Sequence, residues 1–316
     1  MDARVLRIAR RVALSALTVL GAITAAFFAL RLVPIDPAFV IAGAGSDAVA
    51  ITPEVLQAIR TEYHLDQPLP LQYLLYLSRL VQGDLGMSYI QEQPVLQLIA
   101  EQARPTLALA ALASTLAVLL SLAAGLLTAG RRRAGALAGM VELVLASTPV
   151  FWIGFLLMLL FSVWWQVFPL LDKGDLRSLI LPALTLALPM AAPLAQVLRR
   201  SLEDVLEQPF IMTARARGLS VLAVKLRHAL RHALVPYLTM LGFSFGALLG
   251  GAAITETLFG RPGLGRLLVN AVTRQDMPLV LGLVTVSTLA FVIVNLLIDF
   301  AYILVDHRLK SVLPPA

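Results

Sequence analysis

The feature that most limits what this chain can become is a series of long apolar runs almost free of charge. Residues 12–30 form the first, 19 residues without Asp, Glu, Lys or Arg. At about 1.5 Å per residue, a helix of that length covers the ~30 Å hydrocarbon core of a bilayer. Five further stretches, 105–130, 140–168, 179–198, 234–259 and 278–304, carry at most one charged residue each. Backbone polar groups inside a bilayer must be paired within their own segment. The expected fold is therefore an all-α integral membrane protein with six transmembrane helices. Only 14% of the chain is charged against 59% hydrophobic, whereas soluble domains carry roughly 25% charged residues; a soluble enzyme is excluded.

Arginines 4, 7, 10 and 11 precede the first run. A cleaved signal peptide shares that pattern, but the run is longer than a typical signal core and lacks a clear small-x-small cleavage site, so a retained anchor is expected. Six spans put both ends on one side. The N-terminus, Arg131-Arg132-Arg133, the connection 199–233 and the tail 306–316 hold 16 of the 25 basic residues and five acids; the opposite segments hold nine and eleven. The positive-inside rule then puts both termini in the cytoplasm. The net charge of +6 reads as a topology signal, and no nucleic-acid partner is expected.

Several chemistries are removed outright. There is no cysteine, hence no disulfide, thiolate metal site or cysteine nucleophile. The three lysines, Lys173, Lys225 and Lys310, none preceded by glycine, leave no G-x-x-x-x-G-K-S/T phosphate loop. ATP, if used, must be bound by another subunit. His228 and His232 are four apart, but Ala-Leu-Arg between them lacks the glutamate of a zinc hydrolase; no metal site is expected. Gly242-Phe243-Ser244-Phe245-Gly246 matches the G-x-S-x-G string of serine hydrolases, yet it lies inside an apolar helical run, so no catalytic residue is assigned. Gly242, Gly246 and Gly250 instead repeat every fourth residue, a smooth face for helix packing within or between chains.

Two connections are long enough to carry function. Residues 33–104 are expected to be a small helical subdomain on the membrane surface: Thr52-Pro53-Glu54 opens one helix with a capping hydroxyl, and Leu71, Leu74, Leu75 and Leu77 mark a second, opened by Pro70. Residues 199–233 carry seven basic residues and two short helical pieces separated by Gly218; such a segment lies in lipid headgroups or in a partner's groove. Within the spans, Pro182, Pro189 and Pro193 are candidates for a pathway lining, since broken helices are tolerated where they face protein or water. Glu256, with Arg261 or Arg266 to neutralise it, and the pair Asn295 and Asp299 are candidate gate or pathway groups.

TARARGLS from Thr213 and KLRHALRHALVPYLTMLG from Lys225, together with RLVPIDPA from Arg31, LDQPLPLQYLLYLSRLVQGDLGMSY from Leu65 and LFGRPGLGRLLVNAVTRQDMPLVLG from Leu258, resemble in order and spacing the permeases of ABC importers of the dipeptide, oligopeptide and nickel class. The resemblance implies a type I ABC importer permease fold, with 1–32 the N-terminus and first span, 33–104 a periplasmic subdomain, 105–305 a five-helix core and 306–316 a cytoplasmic tail. It implies a bacterial inner-membrane location, a homologous second permease, two ATP-binding subunits holding ATP and magnesium, and a periplasmic or lipid-anchored substrate-binding protein. Thr213, Ala214, Arg215, Ala216, Arg217, Gly218 and Leu219 match the coupling helix that docks on the ATP-binding subunit. The general importer pattern has Glu-Ala-Ala before the glycine, where this chain has Met212-Thr213-Ala214. Short peptides are the expected substrate, with nickel or another metal as a chelate, or glutathione, as alternatives; an intramembrane hydrolase and an ion-driven transporter are the competing classes.

Overall fold

The computed structural model describes residues 3–32, 36–44 and 51–305. The tail 306–316 and residues 33–35 of the RLVPIDPA block lie outside the described residues. In chain order the helices are α1 (Ala3–Leu32), α2 (Pro37–Ala44), α3 (Pro53–Glu62), α4 (Leu69–Val81), α5 (Val95–Thr128), α6 (Arg132–Ser147), α7 (Val150–Leu157), α8 (Leu176–Leu206), α9 (Pro209–Ala216), α10 (Val221–Val224), α11 (Leu230–Leu258), α12 (Leu264–Thr273) and α13 (Met277–Val305). Two π-helical turns, Met158–Trp164 and Lys225–Ala229, extend α7 and lead into α11. Among the described residues there is no sheet; Met87 and Pro94 form an isolated bridge.

Four helices are long and apolar enough to cross a bilayer, and two bent pairs make six if each is one span. The stretch 140–168 is not the single continuous span that hydropathy suggests. It breaks at Thr148-Pro149, where the chain turns by 107°. Proline lacks an amide donor and disfavours the α-region for the residue before it, and Thr148 is accordingly extended at φ −87°, ψ 129°. The second span also begins earlier than expected, with Pro105 inside α5 rather than at its start.

The chain forms two compact units, one of residues 1–104 and 262–292, the other of 105–261 and 293–316. Residues 33–104 fall within the first of these units. In the first unit the predicted cap is present: the Val55 amide donates to Thr52 Oγ1 at 3.5 Å, with Pro53 at the first helical position. Its core gathers Leu85, Val95, Leu98 and Ile99 against Ala271, Leu279, Val280 and Leu283.

In the second unit α8 is the central helix. Most of its apolar window is buried, 72% against 22% for α5, so α8 packs on protein while α5 keeps an open face. Leu179, Ala183, Leu194, Leu198 and Leu202 of α8 meet Leu109, Ala113 and Ala117 of α5 and Ala233, Tyr237 and Ala252 of α11. Alanine at facing positions lets backbones approach closely, as in other membrane bundles. Gly125 of α5 carries this furthest: a Cβ there would stand 2.7 Å from a Leu198 methyl.

Candidate functional site

The connection after α8 folds as two short helices on the end of the second unit. Pro209 at the first helical position starts α9, and Gly218 ends it at φ +81°, a left-handed conformation that glycine adopts without strain. Ser220 then caps α10, accepting from the Ala223 amide at 3.3 Å. Ile211 and Ala214 are buried against Val205, Leu206, Leu219 and Val224. The predicted coupling residues Thr213, Arg215, Ala216, Arg217 and Gly218 are exposed, with Leu219 half-buried. Beside them Met212 is 74% exposed, and Phe210 and Leu222 are also open. The outward surface is therefore apolar at its centre and cationic at its edge. Forking guanidiniums next to an exposed methionine suit a protein groove edged with carboxylates.

Polar links hold this loop, and the end of α8 that leads into it, on the bundle. Lys225, only 3% exposed, donates from Nζ to the carbonyls of Leu126 and Ala129, both at 2.7 Å. These carbonyls belong to the C-terminal end of α5, which has no intrahelical donors for them. Glu203 of α8 accepts from the Gly130 amide at 3.1 Å. Arg199 of α8 forks onto Glu142 of α6, with Nη1–Oε1 at 2.7 Å and a second contact from Nη2 to Oε2, and also donates to Thr128 Oγ1 at 3.3 Å. On α11, the His232 ring lies 5.6 Å from that of Phe210. Helix α9 thus packs on the end of α8 through Ile211 and Ala214 and meets α11 through Phe210, while Lys225 ties the segment that follows it to the α5 terminus.

The other residues singled out by sequence are more scattered. Pro182 is buried in the α8 packing, whereas Pro189 and Pro193 border a cavity of 210 Å³ with Met190, Phe243, Ser244 and Leu248. Ser244 Oγ donates to the Met240 carbonyl at 2.9 Å within unbroken helix, so the strand-turn-helix elbow of a hydrolase is absent there. Gly242 is buried, Gly246 half-buried and Gly250 exposed, with nothing within 4 Å of a Cβ placed on Gly250; the neighbouring Gly251 makes a close approach to Leu186. Glu256 is fully buried and accepts from Thr106 Oγ1 at 2.6 Å. Arg261, one of the two arginines expected to neutralise it, pairs with Asp172 at 2.8 Å. Asn295 is half-buried on α13, and the side chain of Asp299 lies outside the described residues. Among the described residues no three His, Cys, Asp or Glu side chains are grouped to hold a metal ion.

Sequence reasoning missed the roles of four residues that organise these sites. Lys225 was read as one basic residue of the loop, although lysine is scarce in this chain. The Arg199–Glu142 pair joins residues 57 apart in sequence, and its only advance sign was an acid in an apolar run. In the first unit, Asp276, 1% exposed, accepts from Ser88 Oγ, from the Tyr89 amide at 3.1 Å, and from the Ile90 and Leu279 amides at 3.4 Å. It joins the DLGMSY and RQDMP blocks at the start of α13. Burial there pushes the neighbouring Tyr89 phenol up to about 12.

Comparison with known proteins accounts for this arrangement. The family described as binding-protein-dependent transport system inner membrane component matches residues 117–311, and its N-terminal companion matches residues 5–110. A putative peptide transport system permease of Brucella abortus is 40% identical over 294 residues, covering 90% of this chain and 92% of the relative. A glutathione transport system permease of Escherichia coli is 38% identical over 286 residues with the same coverage. A probable peptide ABC transporter permease of Sinorhizobium fredii is 36% identical over 299 residues, again at 90% and 92%. With both halves matched and nine-tenths of the length aligned, the chain belongs to the binding-protein-dependent transport family as a multi-pass permease subunit of an ABC importer.

Proposed function

We propose that this permease moves short peptides inward across a bacterial inner membrane by alternating access, drawing on ATP hydrolysed elsewhere. It spans the membrane six times with both termini cytoplasmic. A homologous second permease completes the pathway, two ATP-binding subunits hold ATP and magnesium, and a periplasmic or lipid-anchored protein delivers substrate. Relatives named for peptides and for glutathione, itself a tripeptide, support a short-peptide cargo. Residues Thr213 to Leu219 receive the stroke of the ATP-binding subunit. The observation that carries this reading is the division of α9. Ile211 and Ala214 hold it down, while Met212, Thr213, Arg215 and Arg217 are left outward, next to a loop bonded to the α5 terminus. The missing glutamate of the general importer pattern leaves the arginines as the polar contacts.

The test replaces Arg215 and Arg217 singly and together by alanine in the intact complex. Membrane insertion should stay normal while co-purification of the ATP-binding subunit, or substrate-stimulated ATPase activity, falls severalfold. Unchanged assembly and unchanged stimulation in the double variant overturn the assignment.

A further inference from the structure

The first unit contains a cavity of 580 Å³ enclosed by α1, the α3–α4 turn, α4, the loop 83–94 and the start of α13. It lies within the size range of ligand pockets, about 300–1,000 Å³. Its lining is amphoteric. Arg31 and Arg79 face it with the aromatic rings of Tyr63, Tyr76 and Tyr89, and Glu62 and Asp84 stand on the same wall system. Arg31 donates to Gln72 Oε1 and sits over the Phe27 ring, 5.9 Å from its centroid. Its Nε is buried, and among the described residues nothing accepts from it.

Two observations say what kind of molecule this cavity suits. Arg31 stands in the last turn of α1, whose apolar window ends at Leu32. The cavity therefore begins at the depth where hydrocarbon gives way to headgroups, the level at which tyrosines and arginines anchor membrane proteins. Four of the chain's six tyrosines, Tyr63, Tyr73, Tyr76 and Tyr89, fall in this unit. Second, α4 turns Gln72, Tyr73 and Tyr76 inward and leaves Leu71, Leu74 and Leu75 exposed, Leu74 by 59%. Leu75 belongs both to that open apolar face and to the cavity wall. A ligand with a charged head and an apolar tail meets both surfaces at once.

We propose that this cavity is a specific site for the headgroup of an amine-bearing phospholipid. The phosphate lies against Arg31, Arg79 and the tyrosine hydroxyls, the ammonium against Glu62 and Asp84, and an acyl chain along Leu74 and Leu75. The guanidiniums supply forked donors for phosphate oxygens. Two carboxylates disfavour a headgroup that carries no cation, so phosphatidylethanolamine is held in preference to phosphatidylglycerol.

The experiment purifies the full chain with its partner subunits in mild detergent, strips loosely held lipid by extended washing, and quantifies retained phospholipid by mass spectrometry. Wild type should keep one phosphatidylethanolamine per chain. Arg79→Gln and Arg31→Gln should lower retention at least fivefold, and Leu75→Trp, which fills the mouth without touching a charge, should do the same in a normally assembled complex. Glu62→Gln with Asp84→Asn should retain phosphatidylglycerol equally well. Retention unchanged in both the arginine and the Leu75→Trp variants overturns the site. So does saturable binding of trialanine that these variants abolish while lipid retention stays unaltered, because the cavity then serves a soluble peptide.

Discussion

Arg199→Met removes one half of the fork with Glu142, whose side chains are 10% and 7% exposed in the pair. At that burial the Coulombic and desolvation terms are both large and of opposite sign, so the two single replacements and the double one should differ sharply. Taking away the arginine strands a buried carboxylate, a loss of about 3–5 kcal/mol. It also removes the Thr128 contact, a weaker contribution of about 0.5–1.5 kcal/mol. Glu142→Met should cost slightly less, because Thr128 still accepts from the guanidinium. Replacing both by methionine removes two desolvation costs together with the attraction, and the outcome should lie within about 2 kcal/mol of wild type. Membrane complexes unfold irreversibly, so the measurement is the apparent Tm at fixed scan rate in one detergent. Each single variant should fall by on the order of 10 °C and the double by only a few degrees. Small additive losses from the two singles would refute the reasoning, since they mean that water or detergent screens the pair.

Lys225→Met should leave insertion intact but separate ATP hydrolysis from transport. The two lost bonds are worth about 1.5–3 kcal/mol each, offset by several kcal/mol from no longer burying an ammonium, so global stability changes little while the α5 tether is gone. Proteoliposome uptake per ATP hydrolysed should drop severalfold and recover in part in Lys225→Arg; an unaltered ratio removes Lys225 from the coupling route. Gly125→Ala puts a methyl 2.7 Å from Leu198, which is fully buried, and overpacking should cost about 1–3 kcal/mol; a variant with wild-type Tm shows that α5 and α8 separate freely.

The spans were legible because hydropathy depends on residues near in sequence. Helices α1 and α13 appear close to where the apolar runs place them. The break in 140–168 was legible too, since Thr148-Pro149 stands in the middle of that run and a proline there forces the preceding residue out of helix. Weighing total hydropathy over local backbone chemistry hid it. The loop 199–233 announced its two helices and its glycine, but not what ties it down. Lys225 reaches carbonyls that lie 96 and 99 residues earlier, and helix ends carry no side-chain signature of which donor will serve them. The Asp172 partner of Arg261 was hidden for a similar reason. Asp172 is nearly ninety residues away in sequence and Glu256 only five, yet the fold brings the distant one to 2.8 Å.

The leucines of α4 mark the limit most clearly. Period alone identifies an amphipathic helix but does not say which face meets the protein, because that choice depends on the solvent. In water Leu71, Leu74 and Leu75 would turn inward and Gln72 outward. Here Gln72 is buried, accepts from Arg31 through Oε1, and donates from Nε2 to the Leu65 and Gln67 carbonyls at 3.1 and 2.8 Å. Tyr73 bonds Thr24 of α1 at 2.6 Å, and Tyr76 bonds Thr285 of α13 at 3.3 Å. Gln72, Tyr73 and Tyr76 each have a partner, so burying them costs little, and the leucines are left on the outer surface. Polar groups inside and leucines outside thus invert the rule by which a soluble helix is read. The same inversion puts Arg31 and Leu75 on one cavity wall, where a charged head and a greasy tail are accommodated together.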